Sequence, residues 1–337
     1  MLIMGYRLLY LDYARLLGAL FVIYVHLFPA DPNDFVRVSF CHFCMPLFFF
    51  ISGVLHKYKE TVQVKKYVRT ILVPAFFFSL LFYFFIGPIL YYGYQPNVDS
   101  VDLFLAKETL GETYVALWSH GWFIFSRYSS LIDVPCWFLV SLFYCRVLTD
   151  LMEKYKYFRF IVALPVLIVL FVGTGLHFCL ESAAMALPFY YGGYCFRHHF
   201  HKFVEMKCSP VWYVFGIVIF FSIIYFNGHI SMWGVYFGNL WRPLSVLLFY
   251  LNGMIGTCLV IKFSSLFIKE SFYSKMSYSL ITILGMQLFF IAIYNIVFPE
   301  RLGHIEAIVP AIIILFLCHF CHKLFEKYVP FAVGKWK

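Results

Sequence analysis

Asp12, Arg15 and His26 stand inside one apolar stretch, 8–28, that is long enough to cross a membrane. Ionisable groups are costly within a bilayer, so those retained there are candidates for function. Arg15 and His26 are eleven residues apart. On a helix that spacing brings them within roughly 20° of the same face and separates them by about 16 Å along the axis. A guanidinium at one end of such a face can hold an anion. An imidazole at the other end titrates near neutral pH and suits a general base. Asp12, one turn before Arg15, is placed to pair with it.

A second cationic pair, Lys66 and Arg69, lies three residues apart ahead of Pro74 and shares a face if helical. Paired cations of this kind hold phosphates well. Ser52 and Gly53 are small and allow helices to approach closely. Asp133, Glu181, His42, His120 and His177 fall toward the same end as His26. A carboxylate there would orient the imidazole, and Asp133 and Glu181 are the candidates. Cys41-His42-Phe43-Cys44 and Cys318-His319-Phe320-Cys321 look alike and contain zinc-type ligands. They fall at opposite ends of their spans, on the order of 25–30 Å apart, so no metal site is expected. His198, His199 and His201 read as part of a basic loop.

The elements that must position these groups follow from composition. The chain has 337 residues, of which 63% are hydrophobic and only 13% charged, and its mean hydropathy is +0.82. Charged residues make up about a quarter of an ordinary globular domain. The expectation is an all-α, polytopic membrane bundle of about ten transmembrane helices, forming a single membrane-embedded domain over 1–337. The runs lie near 8–28, 40–56, 71–94, 132–152, 159–178, 183–197, 210–227, 240–261, 277–298 and 304–322. The sixth is short and holds Pro188, Gly192 and Gly193, which predicts a broken or tilted helix. Most of the 26 Lys and Arg residues fall in alternate connections, including Lys57 to Arg69, Lys154 to Arg159 and Arg197 to Lys207. Cytoplasmic loops collect such residues, so both termini are expected in the cytoplasm. The net charge of +9 therefore faces a membrane leaflet rather than nucleic acid. One long connection, 95–131, carries Asp99, Asp102, Glu108, Glu112, Trp118, His120 and Trp122 on the other side; loops of that length are usually functional or disordered. Most of the ten cysteines lie in apolar runs and read as small core residues. Pro29 and acidic residues follow the first run, so it does not resemble a cleaved signal peptide.

Together these residues resemble the acyltransferase 3 family of membrane O-acyltransferases, in its branch without an attached soluble domain. Leu11-Asp12-Tyr13-Ala14-Arg15 is similar to the family's opening motif, and the spacing of Arg15 to His26 matches. So do the segment Pro46 to Gly53, the basic pair Lys66 and Arg69 before Pro74, and Trp137-Phe138-Leu139. The resemblance implies transfer of an acyl group, usually acetyl, from cytoplasmic acetyl-CoA to a sugar hydroxyl of a surface or lipid-linked polysaccharide, in a multi-pass protein of the bacterial plasma membrane. It implies His26 as the catalytic base, with Arg15, Lys66 and Arg69 binding the donor. Asp12, Ser52, Gly53 and Trp137 would give structural support, and Asp133 and Glu181 assistance. Acetyl-CoA is then a substrate, with no cofactor bound permanently; the other partners are a carbohydrate acceptor and membrane lipids. The donor's pantetheine arm is on the order of 15–20 Å long, comparable with the rise from Arg15 to His26. One departure stands out. Many relatives carry a His in the ninth span after a Ser-Leu element, whereas here Ser279-Leu280 is followed by Met286-Gln287. The competing class is a transporter or flippase for a lipid-linked sugar or small anion. Transporters usually show internal repeats and paired broken helices, and neither is apparent in the sequence.

Overall fold

The computed structural model describes residues 9–28, 31–81, 136–172, 179–232, 238, 240–267, 271–298 and 303–336. Regular structure among them is helical, without strands. In chain order the helices are α1 (Leu9–His26), α2 (Phe35–Val54), α3 (Val64–Tyr67), a π-helical turn (Val68–Leu72), α4 (Val73–Leu81), α5 (Cys136–Lys154), α6 (Phe158–Phe171), α7 (Leu180–Phe196), α8 (Phe200–Glu205), α9 (Pro210–Asn227), α10 (Arg242–Ser264), α11 (Phe272–Met276), a 3-10 turn (Ser277–Ser279), α12 (Leu280–Val297), α13 (Ile308–Tyr328) and a closing 3-10 turn (Pro330–Val333). In lipid the backbone must satisfy its own hydrogen bonds, which leaves helices as the available form for these apolar runs.

Each of the expected segments contains a helix among the described residues. Six are long and apolar enough to cross a membrane: α1, α2, α9, α10, the continuous run α11 to α12, and α13. The others fall short by length or composition. α6 has 14 residues and α7 has 17, α5 carries Arg146, Asp150 and Glu153, and most of the third segment lies outside the described residues. α6 and α9 turn Phe160, Leu164, Trp212 and Phe215 outward, an apolar exterior suited to lipid. Of the two alternatives for the sixth segment, α7 excludes the break: it runs through Pro188 from Leu180 to Phe196. Flanking helices can support such a proline, and α7 is packed between α2 and α5.

α2 is the central helix, in contact with α1, α7 and α10. Its approach to α7 is the closest kind two helices can make. A Cβ on Gly53 would strike the Tyr190 carbonyl, and one on Gly193 would strike the Phe50 carbonyl. The smallness of Gly53 is therefore a packing requirement, as its sequence context predicts. Trp137 supports the same region, buried with its ring 6.5 Å from that of Phe49; Ser52 beside it is half-buried.

Side-chain contacts give the helix directions. Ser141 and Cys145 of α5 reach the Cys179 and Ala183 carbonyls, so α5 and α7 run parallel. Gly18 of α1 meets Phe48 of α2, while Phe21 stacks on Phe40, so those two run antiparallel. The result is a bundle with a basic end, where α1 starts, and a His26 end, where α1 stops. Two cations tie off helix termini. At the His26 end Arg242 donates to the Val169 and Leu170 carbonyls at 3.0 and 2.8 Å, at the close of α6. At the basic end Lys262 donates to the Phe203, Val204 and Met206 carbonyls at the close of α8. Last-turn carbonyls have no intrahelical donor and gain most from such partners.

The glycine contacts differ sharply along α7. Replacing Gly193 with Val should destabilise the protein by about 1–3 kcal/mol through overpacking. Gly192→Ala, with nothing within 4 Å of the added carbon, should leave the melting temperature in detergent unchanged or slightly raised.

Candidate functional site

α1 is one uninterrupted helix of 18 residues, so the spacing of Arg15 and His26 carries over into the structure. At the basic end Asp12 is buried and accepts from Arg15 Nη2. The Arg15 Nε also donates to the Leu11 carbonyl at 3.3 Å, and the Ser277 hydroxyl donates to Asp12 Oδ1 at 3.0 Å. Tyr13 lies 2.6 Å from the Ser271 hydroxyl. Ser271 and Ser274 form a reciprocal cap that starts α11. The foot of α1 is thus fastened to the short break that precedes α12.

At the other end His26 is half-buried, and its Nδ1–H donates to the Val22 carbonyl at 2.7 Å. A carbonyl only accepts, so the neutral imidazole is held with its proton on Nδ1 and its lone pair on Nε2. That is the tautomer a general base requires. Nearby, the Tyr24 hydroxyl donates to the His304 carbonyl at 3.2 Å and lies 3.0 Å from His304 Nδ1, while His304 Nε2 faces Asp34 at 3.5 Å. Asp34 also caps α2 by accepting from the Arg37 backbone N–H at 2.9 Å. Glu181 is buried in the first turn of α7, at the end it shares with Trp137. Asp133, His120, His177 and the connection 95–131 lie outside the described residues. His42, placed toward the His26 end by the sequence, is fully buried, 2.9 Å from the Gly228 carbonyl and 2.9 Å from Asn252 Nδ2. It joins α2 to α10 as a packing residue.

Lys66 and Arg69 are exposed at the basic end, Lys66 in α3 and Arg69 in the π-helical turn. Pro74 explains that turn. It has no N–H to give, and its ring crowds the carbonyl four residues earlier. The turn widens, with Val73 N–H bonded to the Val68 carbonyl. The Arg69 carbonyl then has neither its α-helical donor, already engaged, nor its π-helical one, which is Pro74. Trp336 supplies the missing bond from its indole Nε1 at 2.9 Å, and the Arg69 guanidinium lies over the same ring at 5.3 Å. The C-terminal segment therefore fixes the position of the cation.

Two buried polar groups were not recognised as networks in the sequence, although Ser279 and His319 were named there in other roles. His56 Nε2–H donates to Asp150 Oδ1 at 3.0 Å, and its Nδ1 lies 2.6 Å from the Tyr190 hydroxyl. Asp150 Oδ2 accepts from the Tyr67 hydroxyl at 2.9 Å and the Gln63 backbone N–H at 3.3 Å. This network ties α2, α5 and α7 to the segment that carries Lys66 and Arg69. The legible signal was Asp150, a carboxylate inside an apolar run. In the second group, Ser279 is 2.7 Å from His319 Nδ1, and Thr282 is 2.9 Å from His322 Nδ1. The matched three-residue spacing on both helices was the signal there. Gln287, which follows the Ser-Leu element, is fully buried with neither amide atom hydrogen-bonded. His201 pairs with Glu205 at 3.0 Å on the surface. All ten cysteines are free, and no cluster of three or more His, Cys, Asp or Glu suited to a metal occurs among the described residues.

Asp150 can be tested directly. Asp150→Ala removes the acceptor of a buried network and should cost about 3–5 kcal/mol, read as a large fall in melting temperature. A second test uses pH. Burial, aided by the Arg37 guanidinium, pushes His229 down to about 4. Between the ordinary His value and about 4 the unfolded chain binds the extra proton, so stability falls as pH drops through that window. The loss of melting temperature between pH 7 and pH 5 should be smaller in His229→Gln than in wild type.

The acyltransferase 3 family, described as an acyltransferase domain, matches residues 8–327. No curated protein and no solved structure matches the chain.

Proposed function

The chain belongs to this acyltransferase family and is a membrane acyltransferase, and from that premise we propose that it moves an acetyl group from cytoplasmic acetyl-CoA to a sugar hydroxyl of a surface or lipid-linked polysaccharide. One observation carries the reading. The Val22 carbonyl holds the Nδ1 proton of His26, which leaves Nε2 free to take a proton, on the same helix face as a guanidinium about 16 Å away.

In the proposed reaction the donor's phosphates meet Arg15, Lys66 and Arg69 at the basic end, which is the cytoplasmic end in this reading. The pantetheine arm extends along α1 and brings the thioester to His26. A sugar hydroxyl is a poor nucleophile while it keeps its proton. Nε2 of His26 accepts that proton as the hydroxyl oxygen attacks the thioester carbonyl. The bond to sulfur breaks, and the proton passes from Nε2 to the departing thiolate, giving the ester and free coenzyme A. A transient acyl-imidazole at Nε2 uses the same atoms in two steps. Glu181, at the same end of the bundle, and Asp133 are the carboxylates proposed to assist. Asp12 holds Arg15 in place, and Ser52, Gly53 and Trp137 keep α2 seated against its neighbours. The acceptor comes from the side opposite the donor, so the membrane is crossed by the acyl group and not by the sugar.

The test is the O-acetyl content of surface polysaccharides by proton NMR, in cells lacking the gene and in cells complemented with wild type or His26→Gln. Loss of one acetyl resonance, restored by wild type alone, is the expected result. The same acetyl pattern in all strains would refute both the donor and the acceptor assignment.

A further inference from the structure

The basic end holds a cavity of about 400 Å³ between α11, α13 and the C-terminal segment. Its size falls within the range of small-molecule sites, roughly 300–1,000 Å³. Aromatic rings form part of its wall: Phe272, whose ring meets His319 edge-on at 5.5 Å, and Tyr278. The rest is mainly cationic or hydrogen-bond donating. Lys275, Lys323 and Lys335 line it. The lining carboxylate, Glu326, is engaged by Lys335. His319 and His322 complete the wall, each with Nδ1 facing a hydroxyl of the neighbouring helix. A neutral imidazole that accepts at Nδ1 carries its proton on Nε2, so both rings then have a donor left for the cavity.

The position of this cavity matters as much as its lining. Tyr278 follows Ser277, which bonds to the Asp12 that holds Arg15. Lys335 precedes Trp336, which holds Arg69. Two lining residues are thus chain neighbours of the groups that hold Arg15 and Arg69, although neither arginine lines the cavity, and Glu326, the one carboxylate in its lining among the described residues, is engaged by Lys335.

We propose that this cavity binds a phosphate-bearing anion, and that the anion is the ribose phosphate at the adenosine end of the coenzyme donor, whose diphosphate is left to Arg15, Lys66 and Arg69. The acyl arm would leave it along α1. This assignment rests on the donor reading above. An anionic lipid headgroup offers the same phosphate chemistry, and the experiment separates the two sources.

Full-length protein is placed in phosphatidylcholine nanodiscs, and coenzyme A binding is measured by calorimetry for wild type and Lys323→Gln. That substitution removes a charge and leaves both imidazole–hydroxyl contacts intact; an unchanged melting temperature verifies folding. The expected result is binding by wild type that weakens at least tenfold, ~1.4 kcal/mol, in the variant. Dephospho-coenzyme A should bind wild type more weakly than coenzyme A does, with a smaller difference in Lys323→Gln, the signature of a coupled contact. If both proteins bind coenzyme A equally, the cavity assignment is wrong and the donor reading survives. If wild type does not bind coenzyme A, the donor reading fails. Native mass spectrometry from discs containing phosphatidylglycerol then decides the site. Lipid retained by wild type and lost in Lys323→Gln would make the cavity a lipid-phosphate site, and retention by neither or by both would overturn it.

Discussion

Asp12 is buried where α1 begins, and a carboxylate in that setting requires both a cation and a hydrogen-bond donor, because desolvation otherwise outweighs what the fold gains. Arg15 supplies the charge from the next turn, and Ser277 supplies the donor from a distant part of the chain. The rest of the basic end follows from meeting this demand. Ser277 can reach Asp12 because the chain breaks between Ser271 and Ser279, where a short capped helix and a 3-10 turn replace a continuous α-helix. The same break places Ser279 against His319. A single buried charge thus couples α1 to α12 and, through α12, to α13.

The packing of α2 against α7 obeys a different constraint. Few polar groups there can be satisfied, so helix association rests on close packing. The reciprocal contact of Gly53 and Gly193 with opposing backbones fixes α2 against α7 with little freedom to slide. The His56–Asp150 network adjoins that contact at the basic end, since Tyr190 takes part in both.

How much of this was legible in the sequence depended on the range of the interaction. Helical periodicity acts within one element, so the pairing of Asp12 with Arg15 and the shared face of Arg15 and His26 could be read directly. The charge pattern along the connections assigned the loops to two sides; the structure adds that α1 and α2 run antiparallel and α5 and α7 parallel. The failures were of tertiary origin. Pro188 reads as a breaker in a single segment, yet neighbours on both sides keep α7 continuous. Nothing local to His42 reveals Asn252 or the Gly228 carbonyl, its partners in the bundle. The contact of Trp336 with Arg69 spans most of the chain. Its only local cue was Pro74, which guarantees a carbonyl in need of a donor but not where the donor comes from.

The length of α1 links this frame to the proposed chemistry. With 18 residues it rises about 27 Å, close to the thickness of a hydrocarbon core of roughly 30 Å. Arg15 lies roughly one and two-thirds turns inside its start, and His26 is its last residue. A donor held at the basic end therefore need not cross the whole barrier. Its arm has to cover only the interval between these two residues, along a helix without a kink that could change it. A proton carrier placed midway would have to draw the acceptor sugar into hydrocarbon, at the desolvation cost of every hydroxyl it carries. With the carrier at the far end, only a flexible thioester arm enters the apolar region. The sugar stays among groups such as Asp34, Arg37 and His304, which already favour a polar surface. In the proposed reaction the separation of Arg15 from His26 would let two polar substrates meet without either being fully transferred into the membrane.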